Sequence, residues 1–198
     1  MSHDIDTRLA WVHVPGEDEV PEEVRALWER ADEKIGFVPN VLRTWALRPE
    51  HMLRWRKYMD ELLKGASGLT EAQREMIGVV VSSTNRCYYC MMSHSGVLRS
   101  LTGDPALVDQ LLMNYRHADL DERERAMLDF AVKVTEEAYR CSEADLDALR
   151  QVGWSDEDAM DIAEVAAMFN LTNRMANALG WMPNDEYREM GRGESSSR

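Results

Sequence analysis

The stretch LTEAQREMIGVVVSSTN, residues 69–85, decides the fold class of this sequence. Its valine run at 79–81 would also suit a β-strand, because β-branched residues are enriched in strands. Thr70, however, is a good helix N-cap, and Gln73 three residues later completes a capping box. The stretch is longer than one ordinary strand, and apolar residues cover nearly all of its sides. It therefore predicts a central, buried helix.

The segments on either side of this stretch carry further helix signals. Pro21 and Gly36 bracket one helix, with proline at its first position and glycine past its end. Asp104, Ser142 and Ser155 are the expected N-caps of three more helices. No segment shows the sustained alternation of apolar and polar residues that indicates a half-buried strand. The sequence therefore predicts an all-α helical bundle.

The 198 residues are enough for one domain with a substantial core, or for two small domains that share one. We predict an irregular N-terminal arm at 1–20, a single all-α domain at 21–182 and a polar C-terminal tail at 183–198. A helix, a loop and a capped apolar helix follow one another at about 50–100 and again at about 124–180. This similarity indicates a duplicated helical unit, unless it only reflects how alike helix pairs are.

The charge balance excludes several classes of partner. The formal net charge is −13, from 36 acidic against 23 basic residues. Such a surface repels phosphate backbones and anionic lipids, so we expect neither nucleic acid nor a membrane as a partner. No run approaches the ~18 apolar residues of a membrane span, and the N-terminus lacks the apolar core of a signal peptide. We therefore expect a cytoplasmic protein.

The stretch CYYCMMSHSG, residues 87–96, concentrates the chemistry of the chain. The polar residues at 82–85 are expected to end the preceding helix, which puts Cys87 at the start of the next one. Spacings of three and four then place Cys87, Cys90 and His94 on one helical face. Unpaired N–H groups at a helix start favour a thiolate, and a histidine one turn away can accept its proton. The stretch could be a metal clamp, a redox pair or two buried thiols.

Glu75 adds a fourth group, twelve residues before Cys87 and between apolar neighbours. A buried carboxylate needs a partner, and antiparallel packing of the two helices would bring Glu75 to His94. The two cysteines, His94 and Glu75 could ligate zinc, but structural zinc sites usually draw on two separated ligand pairs. A redox pair is therefore favoured: a sulfenic acid on one cysteine would condense with the other to a disulfide. Cys141 has no neighbouring base, and we interpret it as structural.

These residues resemble the signature of the alkylhydroperoxidase D family, which belongs to the wider carboxymuconolactone decarboxylase superfamily. The four at the matching spacing are Glu75, Cys87, Cys90 and His94. The segment GFVPNVLRTWALRPEHM at 36–52 is similar to the entry of such domains, and FNLTNRMANALG at 169–180 to a stretch of the peroxidase-related branch. The resemblance covers about 20–182.

The resemblance implies an all-helical bundle that assembles as a homo-oligomer and reduces organic hydroperoxides or hydrogen peroxide. Cys90 matches the peroxidatic cysteine, Cys87 the resolving one, and His94 with Glu75 the proton relay. The Cys87–Cys90 disulfide then takes the place of a cofactor, no metal is expected, and an unidentified thiol compound is the reductant. Tyr89 departs from family members that carry a histidine there; a tyrosine donates a hydrogen bond but is a poor base near neutral pH.

Two matters stay open at the level of sequence. The first is the role of Asn170 and Asn173, which repeat the cysteine spacing and are either satisfied core amides or pocket residues that face the CxxC helix.

The second is the class of function. A lactone decarboxylase-like enzyme on the same fold would not need both cysteines. A redox-sensing or zinc-binding module would use them without steady turnover.

Overall fold

The computed structural model describes residues 8–192, so the outer ends of the predicted arm and tail, 1–7 and 193–198, lie outside the described residues. Within this range the chain forms α-helices and short 3-10 turns, and no strand. The prediction of an all-α fold is therefore confirmed. The helices are α1 (Glu22–Ile35), α2 (Asn40–Thr44), α3 (Pro49–Lys64), α4 (Glu71–Thr84), α5 (Tyr88–Thr102), α6 (Pro105–Asn114), α7 (Glu122–Glu137), α8 (Glu143–Gln151) and α9 (Asp156–Leu179).

Helix α4 is the centre of the bundle. Thr70 and Gln73 form the predicted capping box, with Gln73 N donating to Thr70 Oγ1 at 3.1 Å and Thr70 N donating to Gln73 Oε1 at 3.0 Å. Beyond this cap the valine run is buried within the helix, which packs against α5, α7 and α9. The cap and the burial together favour a helix here over the strand that valines prefer elsewhere.

Helix α9 crosses α4 at a very short distance. A Cβ atom at Gly78 would lie only 2.3 Å from Cζ of Phe169, so glycine is what allows the two helices to approach. Phe169 is completely buried at this crossing. The Phe169 ring also reaches the region of α5 that carries the predicted site, as described below.

Both ends of the described range pack on the helical bundle. Trp11 N donates to Leu179 O at 2.8 Å and Met182 N donates to Leu9 O at 3.0 Å, which ties the described part of the arm to the end of α9. The described part of the predicted tail forms a short 3-10 helix, Asp185–Arg188, that lies against α5.

Arg99 holds this C-terminal segment in place. Its buried guanidinium donates from Nη2 to Tyr187 O at 2.7 Å and from Nε to Met190 O at 2.9 Å. Gly96, one turn earlier on α5, provides the space, because a Cβ there would meet Tyr187 O at 3.0 Å. The docking buries the Tyr187 side chain beside the predicted site.

Candidate active site

The turn between α4 and α5 sets the position of the two cysteines. Arg86 adopts a left-handed backbone conformation with φ of 53°, which is uncommon for a residue other than glycine. Cys87 then stands at the N-cap of α5, with its N–H donating to Ser82 O at 2.9 Å, and Cys90 lies in the first helical turn. Both cysteines are buried and both are free thiols.

Three asparagines of α9 hold this turn from the opposite side. Asn85 Nδ2 donates to Oδ1 of Asn170 and to Oδ1 of Asn173, each at 2.9 Å. Asn177 Nδ2 donates to the backbone oxygen of Asn85 at 3.1 Å. The asparagines with the same spacing as the cysteine motif therefore bind the residue that precedes the CxxC helix.

The two predicted asparagine candidates have different surroundings. Asn173 is fully buried, donates to Ser82 Oγ at 3.0 Å and hydrogen-bonds to the Cys90 thiol. Asn170 donates instead to Thr135 Oγ1 at 3.0 Å, on α7. The structure thus brings Asn173 to the thiol pair and places Asn170 in a polar network behind the turn.

The two thiols share a hydrogen bond, and this bond governs their acidity. Donation from Cys90, with help from backbone N–H groups at the helix start and from His94, lowers the pKa of Cys87 below its usual value. The same hydrogen bond, together with burial, raises the pKa of Cys90 well above its usual value, although Asn173 and Thr172 act in the opposite direction. Of the two thiols, Cys87 thus has the lowered pKa and Cys90 the raised one.

Glu75 and His94 form the predicted carboxylate–histidine pair. His94 Nδ1 lies 2.7 Å from Glu75 Oε2, and both side chains are largely shielded from solvent. Because a carboxylate can only accept, Nδ1 carries the donated proton and Nε2 is the nitrogen left for proton exchange. The imidazole also contacts the Phe169 ring in a T-shaped arrangement, with ring centroids 4.6 Å apart.

A cavity of about 710 Å³ opens onto this group of residues. Its buried inner end is lined by Glu75, Tyr89, Cys90, Ser93, His94 and Thr172. Its middle is lined by Trp55, Met59, Leu63, Trp181 and Tyr187. Of the two cysteines, Cys90 is among the residues that line the cavity and Cys87 is not.

Tyr89 occupies the wall as a neutral hydrogen-bonding group. Its phenol oxygen accepts the N–H of Val41 at 2.9 Å, and burial raises the pKa of Tyr89 well above its usual value. A phenol in this state keeps its proton and cannot act as a base near neutral pH. Tyr89 is thus a hydrogen-bond donor beside Cys90, where some family members have a titrating histidine.

Sequence analysis did not predict several residues of the cavity wall. Thr172 approaches Cys90 from α9, and Tyr187 reaches the cavity from the C-terminal segment, where burial raises its pKa. The one available hint for Tyr187 is that it is the sole aromatic residue of the polar stretch DEYREM, 185–190. Trp55 and Trp181 complete the aromatic wall from distant parts of the chain.

Other predicted features are located as follows. Cys141 lies apart from the site, partly buried against the main core, where burial raises its pKa. Among residues 8–192, no three His, Cys, Asp or Glu side chains are grouped so that they could hold a metal ion. None of the helices in that range has the length and apolar character that crossing a membrane would require.

The protein combines a helical bundle, a CxxC pair at the start of an inner helix and a carboxylate–histidine pair beside it. This combination of fold and site defines a class of protein. The sequence profile described as "Carboxymuconolactone decarboxylase family" matches the chain twice, over 49–114 and 105–183. The chain therefore belongs to the carboxymuconolactone decarboxylase family. The two matches also agree with the predicted duplication of a helical unit.

Solved structures narrow the placement to the alkylhydroperoxidase D-like, peroxidase-related branch. An uncharacterized peroxidase-related protein from Ralstonia eutropha JMP134 with an alkylhydroperoxidase AhpD core is 44% identical, with a TM-score of 0.91, over 93% of this chain and 97% of that one. An uncharacterized peroxidase-related protein from Silicibacter sp. TM1040 is 42% identical, with a TM-score of 0.92, over 96% and 100%.

A more distant structure shows the same fold with little sequence similarity. The debrominase Bmp8 is 19% identical to the chain, with a TM-score of 0.75, over 93% of this chain and 96% of that one. At this identity the likeness concerns the fold alone. No curated protein matches the chain.

Proposed function

We propose that the protein is a thiol-dependent peroxidase that reduces alkyl hydroperoxides or hydrogen peroxide through a Cys87–Cys90 redox pair. The observation that carries this proposal is the arrangement of the two sulfurs. Cys90 lines the cavity, Cys87 is hydrogen-bonded to Cys90, and the Glu75–His94 pair lines the same cavity. Membership of the peroxidase-related branch supports the same reaction class.

In the first step His94 Nε2 takes the thiol proton of Cys90, the resulting thiolate attacks the distal oxygen of the hydroperoxide, and the O–O bond breaks. The thiol proton of Cys90 goes to the leaving alkoxide, with His94 Nε2 as the relay, so the products are an alcohol and a sulfenic acid on Cys90. Two electrons pass from the sulfur to the peroxide. Tyr89, as a neutral donor, is placed to hydrogen-bond a substrate oxygen.

In the second step the thiolate of Cys87 attacks the sulfenic sulfur of Cys90. The S–O bond breaks, the disulfide forms, and the departing hydroxide takes a proton to leave as water. An external dithiol then attacks the disulfide at Cys90, the cysteine that lines the cavity, and is itself oxidised. Cys87 is the better leaving group because the factors that lower its pKa also stabilise it as a departing thiolate.

Compartment and assembly belong to the same proposal. A cycle that needs free thiols suits the reducing cytoplasm, where a CxxC pair is more often catalytic than structural. The described surface also exposes large apolar side chains that suit self-association in a homo-oligomer. The most exposed of them are Trp11, Met113, Tyr139 and Met160.

The decisive experiment compares single cysteine variants in a peroxide-consumption assay with dithiothreitol as reductant. Cys90→Ser is expected to abolish turnover. Without dithiothreitol, Cys87→Ser should consume one equivalent of peroxide and hold a sulfenic acid that dimedone traps. Cys141→Ser is the matched control, because that thiol lies outside the site, and it should retain full activity. Full turnover by Cys90→Ser would show the proposal to be wrong.

A thiol titration separates the alternatives. One equivalent of cumene hydroperoxide should remove two thiols from the wild type, and dithiothreitol should restore them. No loss of thiols, with activity on a lactone that survives alkylation, would favour a lyase. A disulfide that forms without steady turnover would indicate a sensor, and stoichiometric zinc in protein purified without chelator would indicate a metal-binding module.

A further inference from the structure

The cavity is much larger than the chemistry at its inner end requires. Its volume of about 710 Å³ falls in the range of pockets that enclose drug-sized ligands. The lining extends along α5 from Cys90 to Leu101, which is about 16 Å along the helix axis at 1.5 Å per residue. Hydrogen peroxide or a small alkyl hydroperoxide would occupy only one end of such a channel.

Burial distinguishes the two ends of this channel. Cys90, Tyr89 and Thr172 at the inner end are almost completely buried. The lining residues of the outer end, among them Arg30, Lys34 and Lys64, are exposed. The wall between the two ends is aromatic and aliphatic, so a ligand that spans the channel must have an apolar body.

The outer end is basic, although the molecule as a whole is strongly acidic. Arg30 and Lys34 of α1 line it, and neither side chain has an ion pair or a hydrogen bond among the described residues. Across the channel, Asp60 is the acidic residue of the outer lining, with its carboxylate 2.5 Å from Arg56 Nη2 and 3.1 Å from Lys64 Nζ. Four cations against one carboxylate leave this end with a net positive charge, in a chain whose net charge is −13.

Arg30 and Lys34 carry like charges one turn apart on α1. They repel each other, although Lys34 in the last turn also interacts favourably with the helix dipole. Solubility of the protein does not require two cations that are one turn apart and both line a cavity. An anionic group bound between them would turn the repulsion into a favourable contact.

We propose that the preferred substrate is an amphipathic carboxylate, a long-chain fatty-acid hydroperoxide. Its carboxylate binds Arg30 and Lys34, its acyl chain lies along the wall that Trp55 and Leu63 form, and its hydroperoxide group reaches Cys90. This inference rests on the proposed peroxidase function for the reaction, but the binding of the carboxylate does not depend on that function.

Binding is tested first with ligands that carry no peroxide. Lauric acid and its methyl ester are titrated against the wild type, with tryptophan fluorescence as the readout because Trp55 and Trp181 line the channel. The acid is expected to bind about tenfold more tightly than the ester, and added salt should reduce that preference. Equal affinity of acid and ester for the wild type would overturn the inference without recourse to any variant.

Turnover is then compared for linoleic acid hydroperoxide and its methyl ester. The double variant Arg30→Gln/Lys34→Gln should raise KM for the acid about tenfold and leave KM for the ester and both kcat values unchanged. Arg140→Gln/Arg150→Gln is the matched control, since it removes two positive charges from elements that do not line the cavity. A KM increase of equal size for acid and ester, or in the control, would overturn the assignment.

The two proposals fail in distinguishable ways. If the wild type consumes neither these two hydroperoxides nor cumene hydroperoxide nor hydrogen peroxide, the peroxidase function is wrong, while a preference for lauric acid over its ester would still support an anion site at Arg30 and Lys34. If it consumes both hydroperoxides with the same kcat/KM, the peroxidase function stands and the fatty-acid specificity is overturned.

Discussion

At the scale of single residues, the two neighbouring thiols of the site differ in acidity and in their contact with the cavity. The pKa of Cys87 is lowered because Cys90 and the N–H groups at the helix start donate to it. The pKa of Cys90 is raised, and Cys90 is the one of the two that lines the cavity. Under the proposed function, contact with the cavity rather than the lower pKa selects Cys90 as the attacking sulfur, and the more acidic Cys87 serves the resolving step.

This difference in acidity predicts the pH dependence of the thiolate. In the Cys141→Ser background, the ultraviolet absorbance of one thiolate should appear as the pH rises through a midpoint below about 8.5, the value of a free cysteine. The sign follows from the lowered pKa of Cys87: its charged form is present above that lowered midpoint and is lost as the pH falls through it. A second thiolate should not appear until well above the usual range.

The matched variant is Cys90→Ala in the same background, which removes the hydrogen-bond donor. The pKa of Cys87 should then rise, and the absorbance midpoint should move to higher pH. An unchanged midpoint would mean that the hydrogen bond from Cys90 does not stabilise the Cys87 thiolate. The free energy of unfolding, measured in urea, verifies that the variant is folded at each pH.

Residue types and spacing predicted the reactive group because it is local to two consecutive helices. Helical phase relates Cys87, Cys90 and His94 directly, and Glu75 follows once α4 and α5 pack side by side. Tyr187 could not be predicted in this way. It reaches the cavity only because Arg99 binds the carbonyl groups of the C-terminal segment, a tertiary contact without a periodic pattern.

At the scale of elements, the turn between α4 and α5 decides where the cysteine helix begins. Its residue Arg86 has a strained left-handed conformation, of a kind that persists only where surrounding contacts hold it. Asn85 supplies those contacts through both its side chain and its carbonyl group. Helix α9 therefore positions the first turn of α5, and with it both sulfurs.

Replacement of Asn85 by alanine is expected to destabilise the protein by about 1–3 kcal/mol, because Asn173 would keep a buried acceptor without its donor. It should also change the reactivity of Cys90, since Asn173 binds that thiol. Asn177→Ala is the control: Asn177 is exposed, so the cost should stay near 0.5 kcal/mol. Urea unfolding and the rate of alkylation by iodoacetamide measure the two effects, and equal losses in both variants would contradict this role for Asn85.

Helix boundaries were predictable where side chains cap the backbone. Thr70, Asp104 and Ser155 each cap a helix start as expected, because an N-cap is a contact within four residues of sequence. The asparagine contacts to the turn were not predictable. They depend on how α9 crosses α4, and a spacing of three and four residues does not show which partner a helix face meets.

At the scale of the whole molecule, the site lies between the two units that the family profile matches. The first match, 49–114, includes α4 and α5 with Glu75 and the cysteines. The second, 105–183, includes α9 with Asn173 and Phe169. Phe169 packs against Gly78 where α4 and α9 cross, and it also contacts the ring of His94. The same side chain therefore affects both the packing between the two units and the position of His94.

This shared side chain predicts that a methyl group at the crossing affects both stability and activity. In Gly78→Ala the new Cβ would clash with the Phe169 ring, which must move, at a cost of about 1–3 kcal/mol. Because His94 rests on that ring, the rate of peroxide consumption should fall as well. Urea unfolding and steady-state kinetics measure the two effects on the same sample.

A double-variant cycle with Phe169→Leu separates the clash from other causes. Leucine removes the ring atoms that meet the new methyl group, so the double variant should lose less stability than the sum of the two single losses. Its activity should stay low, because the ring contact with His94 is absent in either case. Additive losses of stability would rule out a clash between Gly78 and Phe169, and full activity in Gly78→Ala would show that the relay does not depend on this ring.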